Sequence, residues 1–212
     1  MANKIALPVA GGLLSGLMLG ALMTGIPGAM LFLYAVPLPL FLAGLSFGTV
    51  ASAIAVGAGT GAAFALGGVA VGGLFLALFG APAILIVWLA LSSRTDARTH
   101  VEWYPPGKLL GWLSIIAATG ILAAALLASD AEGGLEGHIR RMLPQAIQLL
   151  FDGPLPEELA RQIDQWAGLF PAMLATVWIG TTVLNAAVAQ SVLARRGKAM
   201  RPSPDWLMVE AL

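Results

Sequence analysis

The chain has 212 residues, 58% of them hydrophobic and only 10% charged, with 11 basic and 11 acidic side chains and no cysteine. Ordinary soluble domains carry about 25% charged residues, whereas residues 5–93 here hold no Asp, Glu, Lys, Arg or His, which excludes a soluble fold. Zero net charge gives no reason to expect a nucleic-acid partner, and the lack of cysteine excludes disulfides, thiolate metal sites and cysteine nucleophiles.

A helix that crosses a bilayer needs about 20 apolar residues, so the uncharged run has room for four spans. The first is predicted over residues 5–24, ended by Gly25-Ile26-Pro27-Gly28. A cleaved leader over residues 1–24 is disfavoured, because the apolar stretch is long, one Lys precedes it and no A-x-A site follows. The second span covers 29–47 and carries Pro37 and Pro39, where a kink or break is expected. Such interruptions survive in lipid only where protein or a cavity covers the freed backbone groups. Gly67-Gly68 divides a third span (50–66) from a fourth (69–91). A fifth, 109–129, follows Tyr104-Pro105-Pro106-Gly107, and a sixth covers 169–194. The expected fold is an all-α integral membrane protein: one transmembrane domain, 1–212, with about six helices in a bundle.

Charge sets the expected orientation. The tail holds Arg195, Arg196, Lys198 and Arg201, and the 92–108 loop holds Arg94, Arg98 and Lys108 against Asp96 and Glu102. The 130–166 loop has three Arg against seven acids. Positively charged short loops stay cytoplasmic. The tail, the 92–108 loop and Lys4 are therefore expected inside, and 130–166 outside. Within that outer loop Leu135, Ile139, Met142, Leu143, Ile147, Leu150 and Phe151 recur at helical spacing. Asp152-Gly153-Pro154 breaks the pattern, and Pro156-Glu157-Glu158 opens a second amphipathic helix with Leu159, Ile163 and Trp166 on its apolar face. Two short helices on the membrane surface are the plain reading, and a lid over an outward-facing pocket is the functional one.

Several small-residue patterns invite interpretation. Gly57-Ala58-Gly59-Thr60-Gly61-Ala62 spells a dinucleotide fingerprint but lies within an uncharged membrane segment, where helix packing explains it better. Gly12, Gly16 and Gly20 form a double G-x-x-x-G, and Ala2, Ala6 and Ala10 precede them at the same spacing. Together they cover roughly 160° of a helix surface, a nearly bare face that lets another helix approach closely. That helix could belong to this chain or to a docked partner subunit. Ala51, Ala55, Gly59 and Ala63 repeat the pattern on the third span.

Asn185 is the most polar residue deep in a span, and Thr182, Thr181 and Trp178 precede it by three, four and seven residues, on one helix face. With Tyr34 of the second span these are candidates for a substrate-pocket wall. The alternative is interhelical glue, worth about 0.6 kcal/mol per hydrogen bond. His100 and His138 read as solvated loop residues, and no metal site or cofactor is expected. No carboxylate or His lies at membrane depth, which disfavours a proton- or sodium-coupled pump of the usual kind. There is no paired Asp, no H-E-x-x-H and no Ser–His pair at that depth, so no enzyme activity is expected.

The stretch Tyr34-Ala35-Val36-Pro37-Leu38-Pro39-Leu40-Phe41-Leu42-Ala43-Gly44-Leu45, the Gly-rich opening Gly11-Gly12-Leu13-Leu14-Ser15-Gly16 and the amphipathic loop resemble the YybS-like family of bacterial membrane proteins. That family is similar in turn to the substrate-binding S components of energy-coupling-factor transporters. The resemblance implies six helices in the bacterial inner membrane, both termini cytoplasmic, and a small-molecule ligand held near the outer side. It also implies that Ala2, Ala6 and Ala10 dock a coupling membrane subunit, served by a separate ATPase chain. The rival expectation is a non-transporting interaction or assembly protein, whose Gly and Ala faces serve a homo-oligomer or another membrane protein. A binding subunit should have a cavity open to the outside, lined by Tyr34, Trp178, Thr181 and Asn185. A scaffold should be packed solid there.

Overall fold

In a computed structural model that describes residues 3–24, 28–95, 101–151 and 156–203, helix takes up most of the described residues. That is the physical answer to an apolar sequence, since a helix satisfies its own backbone groups without water. Helix α1 (Asn3–Gly20) runs into a 3-10 turn, Ala21–Thr24. Helices α2 (Ala29–Ala35) and α3 (Pro37–Phe47) follow, then α4 (Thr49–Phe75), a π-turn over Leu76–Gly80, and α5 (Ala81–Ala90). A short antiparallel hairpin pairs β1 (Ser93–Thr95) with β2 (Val101–Trp103), Arg94 facing Glu102. Helices α6 (Pro106–Leu127), α7 (Gly134–Phe151), α8 (Glu157–Trp166) and α9 (Phe170–Arg195) complete the described residues. By length and composition four helical stretches are able to cross a membrane: Ala29–Phe47, Thr49–Ala90, Pro106–Leu127 and Phe170–Arg195. Ile5–Gly20 is a shorter apolar helix.

The 42-residue stretch Thr49–Ala90 would be about 63 Å long if straight, about twice the hydrocarbon core. It is folded in half instead. Gly68 has φ 72° and ψ −166°, a conformation open essentially to glycine alone. On either side of it the chain returns along itself. A methyl group added to Gly72 would lie 3.1 Å from Phe64 Cβ, one on Gly59 2.5 Å from Phe75 Cζ, and one on Gly80 2.6 Å from Val56 Cγ1. These pairs are centred on residue 68, as in a helical hairpin. The wider turn at Leu76–Gly80 precedes Pro82, which has no N–H to return to the previous turn.

The glycines decide how α1 joins this hairpin. Gly12, Gly16 and Gly20 are buried, and they meet Ala55, Gly59 and Leu66 in that order, so α1 lies parallel to the first half of α4. Ala51, Ala55, Gly59 and Ala63 form the receiving face and are all buried. Helix α3 runs antiparallel to α1, with Gly11 against Pro39 and Ser15 against Val36. It turns into α4 through Gly48, which has φ 94°. Close backbone packing of this kind suits lipid, where small residues let helices approach. The core is filled by Val36, Leu40, Phe41, Phe75 and Val87, all fully buried.

Backbone proximity divides the chain into two units, Met1–Leu113 with Thr181–Leu212, and Ser114–Gly180. In the second unit α7 and α8 pack antiparallel. Arg140 reaches Glu136 on its own helix at 2.6 Å and also pairs with Asp164 of α8. Hydrogen bonds from Arg140 to Glu136 and then to Asp164 raise its already high pKa. Ile163 and Ala167 are buried, while Trp166 is exposed. Pro156 starts α8 as the sequence suggests; the predicted break at Asp152-Gly153-Pro154 lies outside the described residues.

Candidate functional site

Two features in the first unit gather polar groups within apolar helices. The first is the junction between α2 and α3, where Val36 keeps helical angles (φ −50°, ψ −43°). Pro37 and Pro39 lack N–H groups, so the carbonyls of Leu33 and Ala35, four residues back, lose their helical donors. Side chains from two other helices brace this point. Ser15 Oγ of α1 donates to Val36 O at 2.7 Å, fully buried. Asn185 Nδ2 of α9 donates to Tyr34 O at 2.7 Å and to Thr181 O at 2.8 Å. Asn185 is buried, so its amide is committed to backbone carbonyls rather than displayed to a solvent-filled space.

The second feature is a cavity of about 120 Å³ whose lining on α9 runs from Thr182 to Gln190, on either side of Asn185 in the sequence. Phe41 and Leu45 of α3, Ile86 and Ala90 of α5, Leu109, Leu110 and Leu113 of α6, and Thr182, Ala186 and Gln190 of α9 line it. The lining is almost wholly apolar. Its polar members are Thr182, Gln190 and Arg201, the last belonging to the tail. The tail folds back to place Arg201 there. Arg201 Nη1 donates to Ala90 O at 3.1 Å, and Gln190 Nε2 donates to Arg201 O at 2.8 Å. The guanidinium lies 6.0 Å from the centre of the Trp103 ring, within cation–π range. Arg201 is only 8% exposed, and burial lowers its pKa. Its Nε has no hydrogen-bond partner, and among the described residues no carboxylate pairs with it.

Beside the hairpin lies a more polar cleft of about 460 Å³ lined by Trp88, Ser92, Arg94, Trp103, Tyr104 and Lys108. Trp112 Nε1 donates to Tyr104 Oη at 3.0 Å. Amphipathic rings of this kind are enriched where a membrane meets water.

The sequence-predicted residues therefore separate. Tyr34 and Asn185 meet, but through the Tyr34 carbonyl; the Tyr34 side chain is 53% exposed. Thr181 contributes its carbonyl to Asn185, and Thr182 lines the cavity. Trp178 is half-buried two turns earlier on α9, in the part of the helix assigned to the second unit. Gly12, Gly16 and Gly20 pack within the chain, Ala6 and Ala10 are exposed, and Ala2 lies outside the described residues. His138 is exposed, and His100 is outside the described residues. Gly57–Ala62 is helix interior in α4, not a strand–turn–helix junction.

The chain matches no protein-family model, no curated protein and no solved structure. The site thus rests on its own geometry. Sequence reasoning missed Ser15 and Arg201. Ser15 is one hydroxyl within a Gly-rich helix, and Arg201 sits among four tail cations that read alike. Gln190, the second strongly polar residue of the last helix, was the available signal that something polar lies near its end.

Proposed function

We propose that the chain is a multi-pass protein of the bacterial inner membrane that binds a small, largely apolar ligand. In this reading it serves as an S-component-like subunit whose uptake step is driven by a separate coupling protein and ATPase. The observation that carries the reading is the apolar cavity between α3, α5, α6 and α9. Binding sites for small molecules are concave and mostly apolar, with a few placed polar groups, and Thr182, Gln190 and Arg201 fit that description.

Six crossings are proposed: α1, α2 with α3, the two halves of the Gly68 hairpin, α6 and α9. The parallel pairing of α1 with the first half of α4, and the antiparallel pairing of α3 with both, support this count. The basic 92–108 loop and tail support a topology with both termini in the cytoplasm and the α7–α8 segment outside. The cavity takes in Thr182 and Ala186, on either side of Asn185 in the sequence, but neither Tyr34 nor Asn185 itself.

A second reading, an interaction or assembly protein, is favoured by exposed Ala6 and Ala10, which leave part of the small-residue face of α1 uncovered. The test is purification in mild detergent and native mass spectrometry of the wild type and of Ala186→Phe, which fills the cavity. A bound small molecule retained by the wild type and lost from the variant supports the binding subunit. A homo-oligomer or a protein complex without small molecule, unchanged by the variant, supports the scaffold and refutes the pocket.

A further inference from the structure

The polar cleft beside the β1–β2 hairpin lies where two apolar stretches of membrane-crossing length end. Thr49–Ala90 stops just before the hairpin, and Pro106–Leu127 starts just after it. Trp88 on the first and Trp112 on the second are both exposed, so apolar surface adjoins the cleft on either helix. The hairpin sets charges at the same level. Arg94 stands opposite Glu102 in the ladder, and Lys108 in the first turn of α6 completes the charged lining. Among the described residues Arg94 and Glu102 form no ion pair. Two cations against one carboxylate leave the lining with a formal charge of +1. Residues 96–100 lie outside the described residues and hold one Asp and one Arg, so they add no formal charge to the loop. The Tyr104 hydroxyl accepts from Trp112 Nε1 at 3.0 Å, which leaves its own proton to donate.

We propose that this cleft holds the headgroup of an anionic phospholipid, with its phosphate on Arg94 and Lys108 and its acyl chains along the exposed apolar sides of α5 and α6. Arginine suits the role because its planar fork matches phosphate oxygens, and basic pockets beside membrane helices take anionic headgroups. Glu102 accepts from the hydroxyls of a glycerol headgroup. The single negative charge of such a lipid balances the lining, whereas a zwitterionic lipid leaves its surplus cation unmatched. Trp88, Trp103 and Tyr104 line the same cleft, and rings of this type hold position at the headgroup layer. The cleft shares no lining residue with the apolar cavity, so the two sites fail independently.

The experiment places the full chain in phosphatidylcholine nanodiscs that hold equal minor fractions of phosphatidylglycerol and phosphatidylethanolamine. Native mass spectrometry then reads the lipids that stay bound. Retained phosphatidylglycerol should exceed phosphatidylethanolamine by about fivefold, the factor that one unmatched basic side chain contributes with an anionic lipid. Arg94→Gln combined with Lys108→Gln should remove the preference; both side chains are exposed, so the core is undisturbed. Arg195→Gln combined with Arg196→Gln takes the same charge from exposed tail residues outside the cleft and should leave the preference intact. If the tail pair lowers it as much, the attraction is diffuse and the cleft is not a site. Equal retention of the two lipids, or more phosphatidylethanolamine, overturns the anionic headgroup, and the comparison on the wild type needs no variant. Excess glycerol phosphate should leave the bound lipid in place; displacement would make a soluble phosphate ester the occupant and overturn the lipid.

Discussion

Gly12→Ala puts the helix packing at risk more directly than any other single methyl group. The added Cβ would run into the Ala55 carbonyl oxygen, with the carbonyl carbon at 2.7 Å and Cα at 2.9 Å. All three atoms are backbone, so no side-chain rotation relieves the clash, and α1 or α4 must move. Overpacking of this kind costs about 1–3 kcal/mol, and the rigid neighbour puts it at the upper end. Better helix propensity returns about 1 kcal/mol, leaving a net loss of about 2 kcal/mol. Gly57 and Gly61 provide the control, because a methyl group there meets nothing within 4 Å. Gly57→Ala and Gly61→Ala should be neutral or stabilise by up to about 1 kcal/mol. Thermal unfolding in a mild detergent, followed by tryptophan fluorescence, compares the three. If Gly12→Ala proves as stable as Gly57→Ala, α1 does not pack on α4 as described.

Gly68→Ala should destabilise by about 1–3 kcal/mol, because its backbone conformation is essentially restricted to glycine; wild-type stability in the same unfolding assay would show that the hairpin turns elsewhere. Asn185→Leu should cost about 0.6 kcal/mol and no more than about 1.7 kcal/mol, and a loss near 3 kcal/mol would mean that Asn185 does more than brace the α2–α3 junction. Because the chain has no cysteine, single substitutions report sidedness cleanly. Ser203→Cys should be shielded from an impermeant maleimide in intact cells and Ser129→Cys labelled; the reverse pattern would invert the proposed topology.

Much of the helix layout was readable from the sequence, for identifiable reasons. The uncharged run from 5 to 93 is helical over most of its described residues, and Gly68 marks a real change of backbone path, whereas at the Pro37–Pro39 pair Val36 keeps helical angles and only the hydrogen-bond ladder is interrupted. Boundaries were harder. The fifth apolar helix starts at Pro106 rather than 109, because a proline fits the first turn, where its missing N–H would have no partner anyway. The β1–β2 hairpin was missed because three-residue strands show too little alternation to register. The candidate site was the least legible part. Whether a glycine face meets its own chain or another is a question of distant pairing, which spacing along one helix does not contain. Arg201 illustrates the same limit: its burial depends on where the tail returns, and its neighbours Arg195, Arg196 and Lys198 are all exposed.

The Gly68 turn also bears on how the protein meets its bilayer. Phe64, Leu66 and Val69 are exposed around it, and no charged side chain lies anywhere nearby in sequence. The opposite end of the same hairpin adjoins Trp88, Trp103, Tyr104 and Lys108, side chains that hold position at a headgroup layer. In the proposed topology one end of the hairpin is moored and the other carries no such anchor. A thinner or thicker membrane would be accommodated at the glycine tip, at a modest cost per ångström of mismatch, while the Arg201 end keeps its level.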